Sequence, residues 1–542
     1  MENLRTRSAL RLLAGFAAIV PLTACGDEKK GSPGYAARDG SRADVQYEAA
    51  GTNAIVVAPP PPVPAGPLAE AENTEAYAHF VENGYVAAAR EPRSTFSASV
   101  DTAAYSLIRA KINGGELPPK DAVRIADLLN YFEYENHRPK GDAPVWATVE
   151  LAPCPWNTKH HLLRIGVAAT KYDPSQLPAR NLVFLVDTSG SMGPANRLPL
   201  VKQSLLMLVD TLSPRDRVSL VTYAGESSLR LPPTPGDQKA RIRAAIEALS
   251  AGGSTNGGGG IETAYAQAAQ SFVEHGVNRV VLATDGDFNV GARSQGDLIR
   301  LIEEKRRTGV YLTVLGFGMG NLKDANLEKL AHHGDGHYAY VDSMAEAHKL
   351  FVEQGGSLVT VARDVKLQVE FNHNRVNAYR LIGYENRLLS NQEFRNDEKD
   401  AGDMGSGHTV TALYEIVPAG VTVPLADAGD LKYQAPKDTD AAMTGEWLTF
   451  RMRFKDPATD EAKEVSFPVG KDGLRSKGSR DFRFAAAVAA FGLLLRDSPH
   501  KGTATWADVR ELAAGAGFDP NGHRAEFVEL VAKAQQLSGK RD

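Results

Sequence analysis

Asp187, Ser189 and Ser191 occupy alternate positions of Asp187-Thr188-Ser189-Gly190-Ser191-Met192, which follows an apolar run over 182–186. One carboxylate and two hydroxyls at that spacing can turn three oxygens toward a single point. Two later segments supply groups of the same kind. Thr255 lies in the glycine-rich stretch Gly252-Gly253-Ser254-Thr255-Asn256-Gly257, and Asp285-Gly286 follows a second apolar run, 280–284. Carboxylate and hydroxyl oxygens are hard donors, suited to Mg²⁺, Mn²⁺ or Ca²⁺ and not to zinc or copper. Each segment alone also has a plainer use, Asp187 and Ser191 as caps on the following helix and Asp285 as the end of a strand. Asp287 reads equally well as a carboxylate standing behind the ligands or as a solvated loop residue.

The other reactive residues point to no catalysis. The glycine run 252–260 lacks the Gly-Lys-Ser/Thr ending of a phosphate-binding loop, so no nucleotide is expected. Neither Ser189 nor Ser191 sits in a Gly-x-Ser-x-Gly turn, no histidine is placed by sequence as a base, and no catalytic residue is assigned. His160-His161 and His332-His333 read as surface pairs, because adjacent side chains on a strand face opposite ways. Trp146, Trp156, Trp447 and Trp506 lie in or beside apolar segments and read as core.

Such oxygens need a scaffold that ends several strands at one place. Over 181–354, apolar strands (182–187, 218–223, 280–284, 312–317 and 338–341) alternate with amphipathic helices. The first helix carries Leu198, Val201, Leu205, Leu208 and Leu212 on one side. This alternation predicts a doubly wound, largely parallel α/β sheet, with ligands beyond the carboxyl ends of its strands. On either side of this unit the period changes to two. Val149 and Leu151, then Leu163, Ile165 and Val167, belong to short alternating segments within 144–180. After it, Val365, Leu367, Val369 and Phe371 alternate with Lys366, Gln368 and Glu370, and Leu448, Phe450, Met452 and Phe454 with Thr449, Arg451 and Arg453. One apolar face at period two predicts a β-sandwich. Two or three leading strands cannot bury a face alone, so both sets are expected to form one sandwich with the α/β unit inserted. Residues 73–143 read as a helical module, with a helix over 102–113 capped by Asp101 and ended by Gly114-Gly115, then Ile125, Leu128, Leu129 and Phe132 at helical spacing. Residues 355–542 close with an apolar helix near 482–496, a capping box at Thr505 and Asp508, and a last helix with Phe527, Leu530, Val531 and Ala534 on one face.

The chain has 542 residues, enough for two to four domains, and a formal charge of -5, which gives no sign of a nucleic-acid partner. Arg5, Arg7 and Arg11 precede an apolar run over 12–22, too short to span a bilayer and patterned as a secretory signal over 1–24. It ends in Leu22-Thr23-Ala24-Cys25, which resembles the lipobox of bacterial lipoproteins. That likeness implies cleavage before Cys25 and lipidation of its thiol. Gly26, standing where an aspartate would favour the inner membrane, favours the periplasmic face of the outer membrane, with the inner membrane and the cell surface as the alternatives. Residues 25–72, with prolines at 59–62, 64 and 67, read as an extended tether. Cys154 is the second of two cysteines and reads as a buried, inert thiol without a disulfide.

The order Asp-x-Ser-x-Ser, threonine, Thr-Asp-Gly resembles the metal-ion-dependent adhesion site of von Willebrand factor A domains. The resemblance implies a divalent cation, Mg²⁺ ahead of Mn²⁺ or Ca²⁺, held by Asp187, Ser189, Ser191, Thr255 and Asp285, with the aspartates acting partly through water. Three neutral hydroxyls leave most of the metal's charge uncancelled, so an open position would take an Asp or Glu carboxylate from a protein partner. Ser94-Thr95-Phe96-Ser97, Asp101-Thr102, Leu117-Pro118-Pro119-Lys120-Asp121 and Asp481-Phe482-Arg483-Phe484-Ala485 resemble the YfbK-like proteins, a likeness that runs over nearly everything after residue 75. It implies this architecture, metal-dependent binding and no substrate; together with the lipobox, the expectation is a membrane-tethered binding protein of the cell envelope and no enzyme. The alternatives are an envelope scaffold whose metal site braces its own domains, and an accessory subunit of an ATPase complex.

Overall fold

The computed structural model describes residues 74–542 apart from 140, 254–256, 287, 289–293, 426–437, 516, 518 and 540–542. The expected signal, Cys25 and the tether lie outside the described residues, as do Thr255 and Asp287.

The α/β unit is a six-stranded sheet in the order Tyr338–Val341, Val310–Phe317, Val277–Thr284, Arg180–Asp187, Arg217–Tyr223, Ser227–Pro235. The first five strands pair in parallel. The sixth is antiparallel and was not legible, since Pro232, Pro233 and Pro235 argue against a strand anywhere but at an edge, which is where it lies. Arg180–Asp187 is buried along its whole length because both faces are covered. Leu182, Phe184 and Val186 pack with the helix Leu198–Asp210 through Val201, Leu205 and Leu208. Val183 and Leu185 pack with Ile261, Ala264 and Ala268 of the helix Gly257–Gln270. From this central strand the chain runs outward to one edge, then returns to add Val277–Thr284 on the other side. The carboxyl ends of Arg180–Asp187 and Val277–Thr284 therefore flank the point where strand order reverses, the usual place for a ligand in such sheets.

The strands before and after this unit share one sheet. Val410 registers with Val167, and Tyr414 with Leu163. The five-stranded sheet runs Val86–Ala87, Val376–Ile382, Thr409–Pro418, Asn157–Ala169, Val145–Cys154. The facing sheet runs Leu388–Leu389, Arg93–Ser97, Thr360–Phe371, Leu448–Lys455, Ala462–Val469, with Gly402–Gly405 beside Thr360–Phe371. Leu151, Leu163, Ile165 and Val167 of the first meet Leu367, Val369, Phe450 and Met452 of the second in a common core. The α/β unit is thus inserted into a β-sandwich. Lys366 and Gln368, expected on a solvated face, are buried, with the Lys366 ammonium bonded to the Asn396 carbonyl of a covering loop.

Residues 73–143 are not purely helical. Arg93–Ser97 and Val86–Ala87 add a strand to each sheet, too short and too polar (Arg-Ser-Thr-Phe-Ser) for period two to register. The helices Ala103–Asn113 and Ile125–Asn130 form where expected. Asp101 does not cap the first of them. Its carboxylate accepts Tyr338 N at 2.8 Å and Arg387 Nη2 at 2.6 Å, and Asp127 Oδ2 receives Ala104 N instead. The helix Arg480–Arg496 is buried nearly all round, against Trp506–Ala514, His523–Leu537 and the sandwich residues Ala152, Leu162 and Leu413. Thr505 and Asp508 form a capping box. Cys154 is buried and unpaired, and burial pushes its thiol pKa up.

His160 is no surface residue. Its Nδ1 lies 2.6 Å from Glu415 Oε1, while Arg380 Nη2 and Trp156 Nε1 donate to Oε2. Tertiary burial of strand ends, invisible to a pairwise spacing rule, decides that case. At the start of the described chain, Thr74 N donates to the Gly320 carbonyl and Ala76 N to the Leu322 carbonyl, each at 2.9 Å. Glu75 joins Gly320 N at 2.8 Å and Lys111 at 2.6 Å, so residues 74–76 lie as a strap along the loop after Val310–Phe317. No helix among the described residues is long and apolar enough to cross a membrane.

Candidate metal centre

Parallel register brings the donors together. Asp187 pairs with Tyr223, and Val186 with Ala283, so Asp187 and the Thr284-Asp285 end meet at one end of the sheet. Backbone hydrogen bonds pin the loop beyond Asp187. Thr188 N donates to the Tyr223 carbonyl at 2.9 Å, Gly252 N to the Thr188 carbonyl at 2.8 Å, and Gly190 N to the Gly253 carbonyl at 3.0 Å. The glycine-rich segment therefore lies against Asp-x-Ser-x-Ser, two residues short of Thr255.

Within that loop Ser189 N donates to Asp187 Oδ1 at 2.9 Å, and the Ser189 and Ser191 hydroxyls are 3.0 Å apart. Neither the 3-10 turn Gly190–Met192 nor the helix Leu198–Asp210 has a side-chain cap, so Asp187 and Ser191 do not serve as caps. Asp187 is fully buried, and its Oδ2 accepts the Tyr223 hydroxyl at 3.1 Å and the Thr284 hydroxyl at 3.2 Å. Burial, with the Asp285 charge adding to it, outweighs these hydrogen bonds and lifts the Asp187 pKa to about 6.

Asp285 is also fully buried. One nitrogen of Arg197, Nη1, reaches Asp285 Oδ2 at 2.8 Å and the Ser191 carbonyl at 2.6 Å, while Nη2 reaches the Met319 carbonyl at 2.8 Å. Asp285 Oδ1 has no partner among the described residues. A buried carboxylate oxygen left without a donor is costly. Beside two hydroxyls and a second carboxylate, it fits a hard cation. The turn that presents it is tight. Gly286 has φ +108°, and a Cβ there would fall 2.6 Å from Leu322 Cα and from Lys323 N. Asp187, Ser189, Ser191 and Asp285 are thus gathered at one end of the sheet; Thr255 and Asp287 fall outside the described residues. Among the described residues no three of His, Cys, Asp and Glu gather as ligands, which leaves a hydroxyl-rich donor set.

Sequence reasoning missed Tyr223 and Arg197 and, though it took Thr284 as part of the Thr-Asp-Gly element, gave that hydroxyl no role. Tyr223 and Thr284 each end a strand that neighbours Arg180–Asp187, a position that could have marked them. Arg197 stands six residues past Ser191, just ahead of a helix, and nothing in its spacing announces it.

Comparison with known proteins follows this geometry. The model of the von Willebrand factor type A domain matches residues 181–353, that described as "Uncharacterized protein YfbK, C-terminal" residues 356–537, and that described as "von Willebrand factor" residues 71–164. The chain is 42% identical over 476 residues to "Uncharacterized protein YfbK" of Escherichia coli (strain K12), covering 86% of this chain and 82% of that one. It is 32% identical over 180 residues to the magnesium-chelatase 60 kDa subunit of Cereibacter sphaeroides, covering 32% of this chain and 31% of the relative. Among solved structures, the von Willebrand factor type A protein from Catenulispora acidiphila aligns with a TM-score of 0.41 at 17% identity, over 73% of this chain and 91% of its own.

Proposed function

This chain belongs to the YfbK family, built on a von Willebrand factor A domain, and from that premise we propose that it binds a protein partner through a divalent-metal adhesion site. One observation carries the reading: Asp285 Oδ1, buried and without a partner among the described residues, at the sheet end that also gathers Asp187, Ser189 and Ser191. Those four residues, with Thr255, would hold the ion. Mg²⁺ suits them first, and Mn²⁺ or Ca²⁺ would fit the same hard donors. A bound divalent ion supplies a positive centre with a coordination position for an outside Asp or Glu carboxylate. The chain's own residues orient the donors. Tyr223, Thr284 and the Ser189 amide hold Asp187, and Arg197 holds the second oxygen of Asp285. No third carboxylate of the described residues joins them, which favours an external ligand over an internal brace.

In this reading the protein is a receptor or assembly factor and not a catalyst. Lipidated Cys25 would hold it at the cell envelope, on the periplasmic face of the outer membrane, with residues 25–72 as the tether. Affinity capture from envelope extracts in Mg²⁺, repeated with chelator and with Asp187→Ala, tests the site. A partner retained in Mg²⁺ and lost under both treatments supports it, whereas the same proteins retained in all three arms overturn it. Cys25→Ser should release the protein from membranes, and continued attachment would refute lipidation.

A further inference from the structure

Arg164, on the strand Asn157–Ala169, is 1% exposed. A guanidinium withdrawn from water normally has a carboxylate within ion-pair reach. Arg164 has a neutral amide instead. Its Nη2 donates to Asn136 Oδ1 at 3.1 Å, and its buried Nε has no partner among the described residues. The carboxylates closest to it are engaged elsewhere. Glu150, directly across the strand pair, bonds Ser479 through both oxygens and faces Arg475 at 3.3 Å. Asp481 holds Arg524 at 2.8 Å. Burial works against the Arg164 charge and lowers its pKa, with Tyr134, Asp481 and Glu150 offsetting that only in part.

This side chain forms one wall of an open cavity of about 300 Å³. Other walls are Glu150, Arg475, Ser479 and Arg480, the last two at the amino end of the 17-residue helix Arg480–Arg496. Helix amino ends favour negative charge. Arg475 is matched by Glu150, so among the described residues the arginines facing the cavity without a carboxylate are Arg164 and the exposed Arg480. The lining also includes the carboxylates of Glu135, Glu150 and Asp481. These would repel a dianion such as phosphate and still admit a single negative charge. The planar guanidinium fork matches a carboxylate.

We propose that this cavity binds a monocarboxylate ligand, anchored on Arg164 and closed from the rim by Arg480. The chemistry is shared by small organic acids and by the free carboxyl terminus of a peptide. The site is separate from the metal centre and does not depend on it.

Calorimetric titration of the full chain, in chelator throughout, tests this with propionate, N-acetylglycine, N-acetylglycinamide and inorganic phosphate. Saturable binding of a carboxylate probe, with neither the amide nor phosphate matching it, is expected. A preference for N-acetylglycine assigns a peptide terminus, and a preference for propionate assigns a small acid. Arg164→Met and the exposed Arg480→Gln should each weaken binding by about tenfold, the scale of one charge-assisted hydrogen bond. Absence of saturable binding, equal binding of the amide, or unchanged affinity in a folded Arg480→Gln protein overturns the proposal.

Discussion

Arg197 places a fixed positive charge on the carboxylate that a metal would use, and it is 13% exposed against 0% for Asp285. A bound metal ion would therefore be a second cation on one acidic residue, exchangeable where Arg197 is covalently part of the chain. In chelator, Arg197→Met leaves Asp285 buried without a counter-charge and should lower stability by about 2–4 kcal/mol. Saturating Mg²⁺ should recover part of that loss. Thermal melts of both proteins with and without Mg²⁺ measure it, and an identical deficit in the two conditions would show that the guanidinium and the ion act on different groups. At this scale the sequence was informative where chemistry follows spacing. That Asp187, Ser189, Ser191 and Asp285 come to one end of the sheet could be read from type and order. Arg197 could not, because it reaches the site from the loop between Met192 and Leu198, which carries no periodic pattern.

His337 and His408 meet where the α/β unit joins the sandwich, one just ahead of Tyr338–Val341 and the other just ahead of Thr409–Pro418, with ring centroids 5.9 Å apart. Burial, with the Arg279 charge nearby, lowers both pKa values to about 3. His408 Nδ1 accepts Gly405 N at 3.0 Å, a bond that only the neutral ring can make. The unfolded chain takes up these protons first, near pH 6.5, so the stability present above that pH is lost as pH falls toward 3. Both rings are half-buried, and after allowance for solvent the pair is worth about 2 kcal/mol. Thermal melts between about pH 7 and pH 4 should show an acid limb, flattened in the double variant His337→Gln, His408→Gln. An unchanged limb would place the acid sensitivity elsewhere. Element by element, long periodic runs were readable. Leu448–Lys455 alternates buried and half-buried residues without a break. The edge strand Ser227–Pro235 and the short polar strand Arg93–Ser97 were not, since a strand stabilised by its neighbour's hydrogen bonds needs no apolar face of its own.

At the scale of the molecule, insertion makes the sandwich discontinuous in sequence, with strands from 86–169 completed only by strands from 360–469. Return of the period-two pattern after the α/β unit made this legible, whereas the packing of Ala103, Leu107 and Ala122 into the α/β core had no sequence mark. The strap at 74–76 ties the segment ahead of the first strand to the loop that packs beside Asp285. Deleting residues 1–77 removes the carboxylate partner of Lys111 and the acceptor of Gly320 N. Hydrogen exchange should then quicken over 318–323 while Arg180–Asp187 keeps its protection; equal protection with and without the strap would show that it lies there idly.

Gly320 is the neighbour of Met319, whose carbonyl Arg197 grips, and the same loop leans on Gly286 beside Asp285. Displacing residues 74–76 would therefore disturb, within one loop, both the carbonyl that anchors Arg197 and the contact that shapes the turn at Asp285.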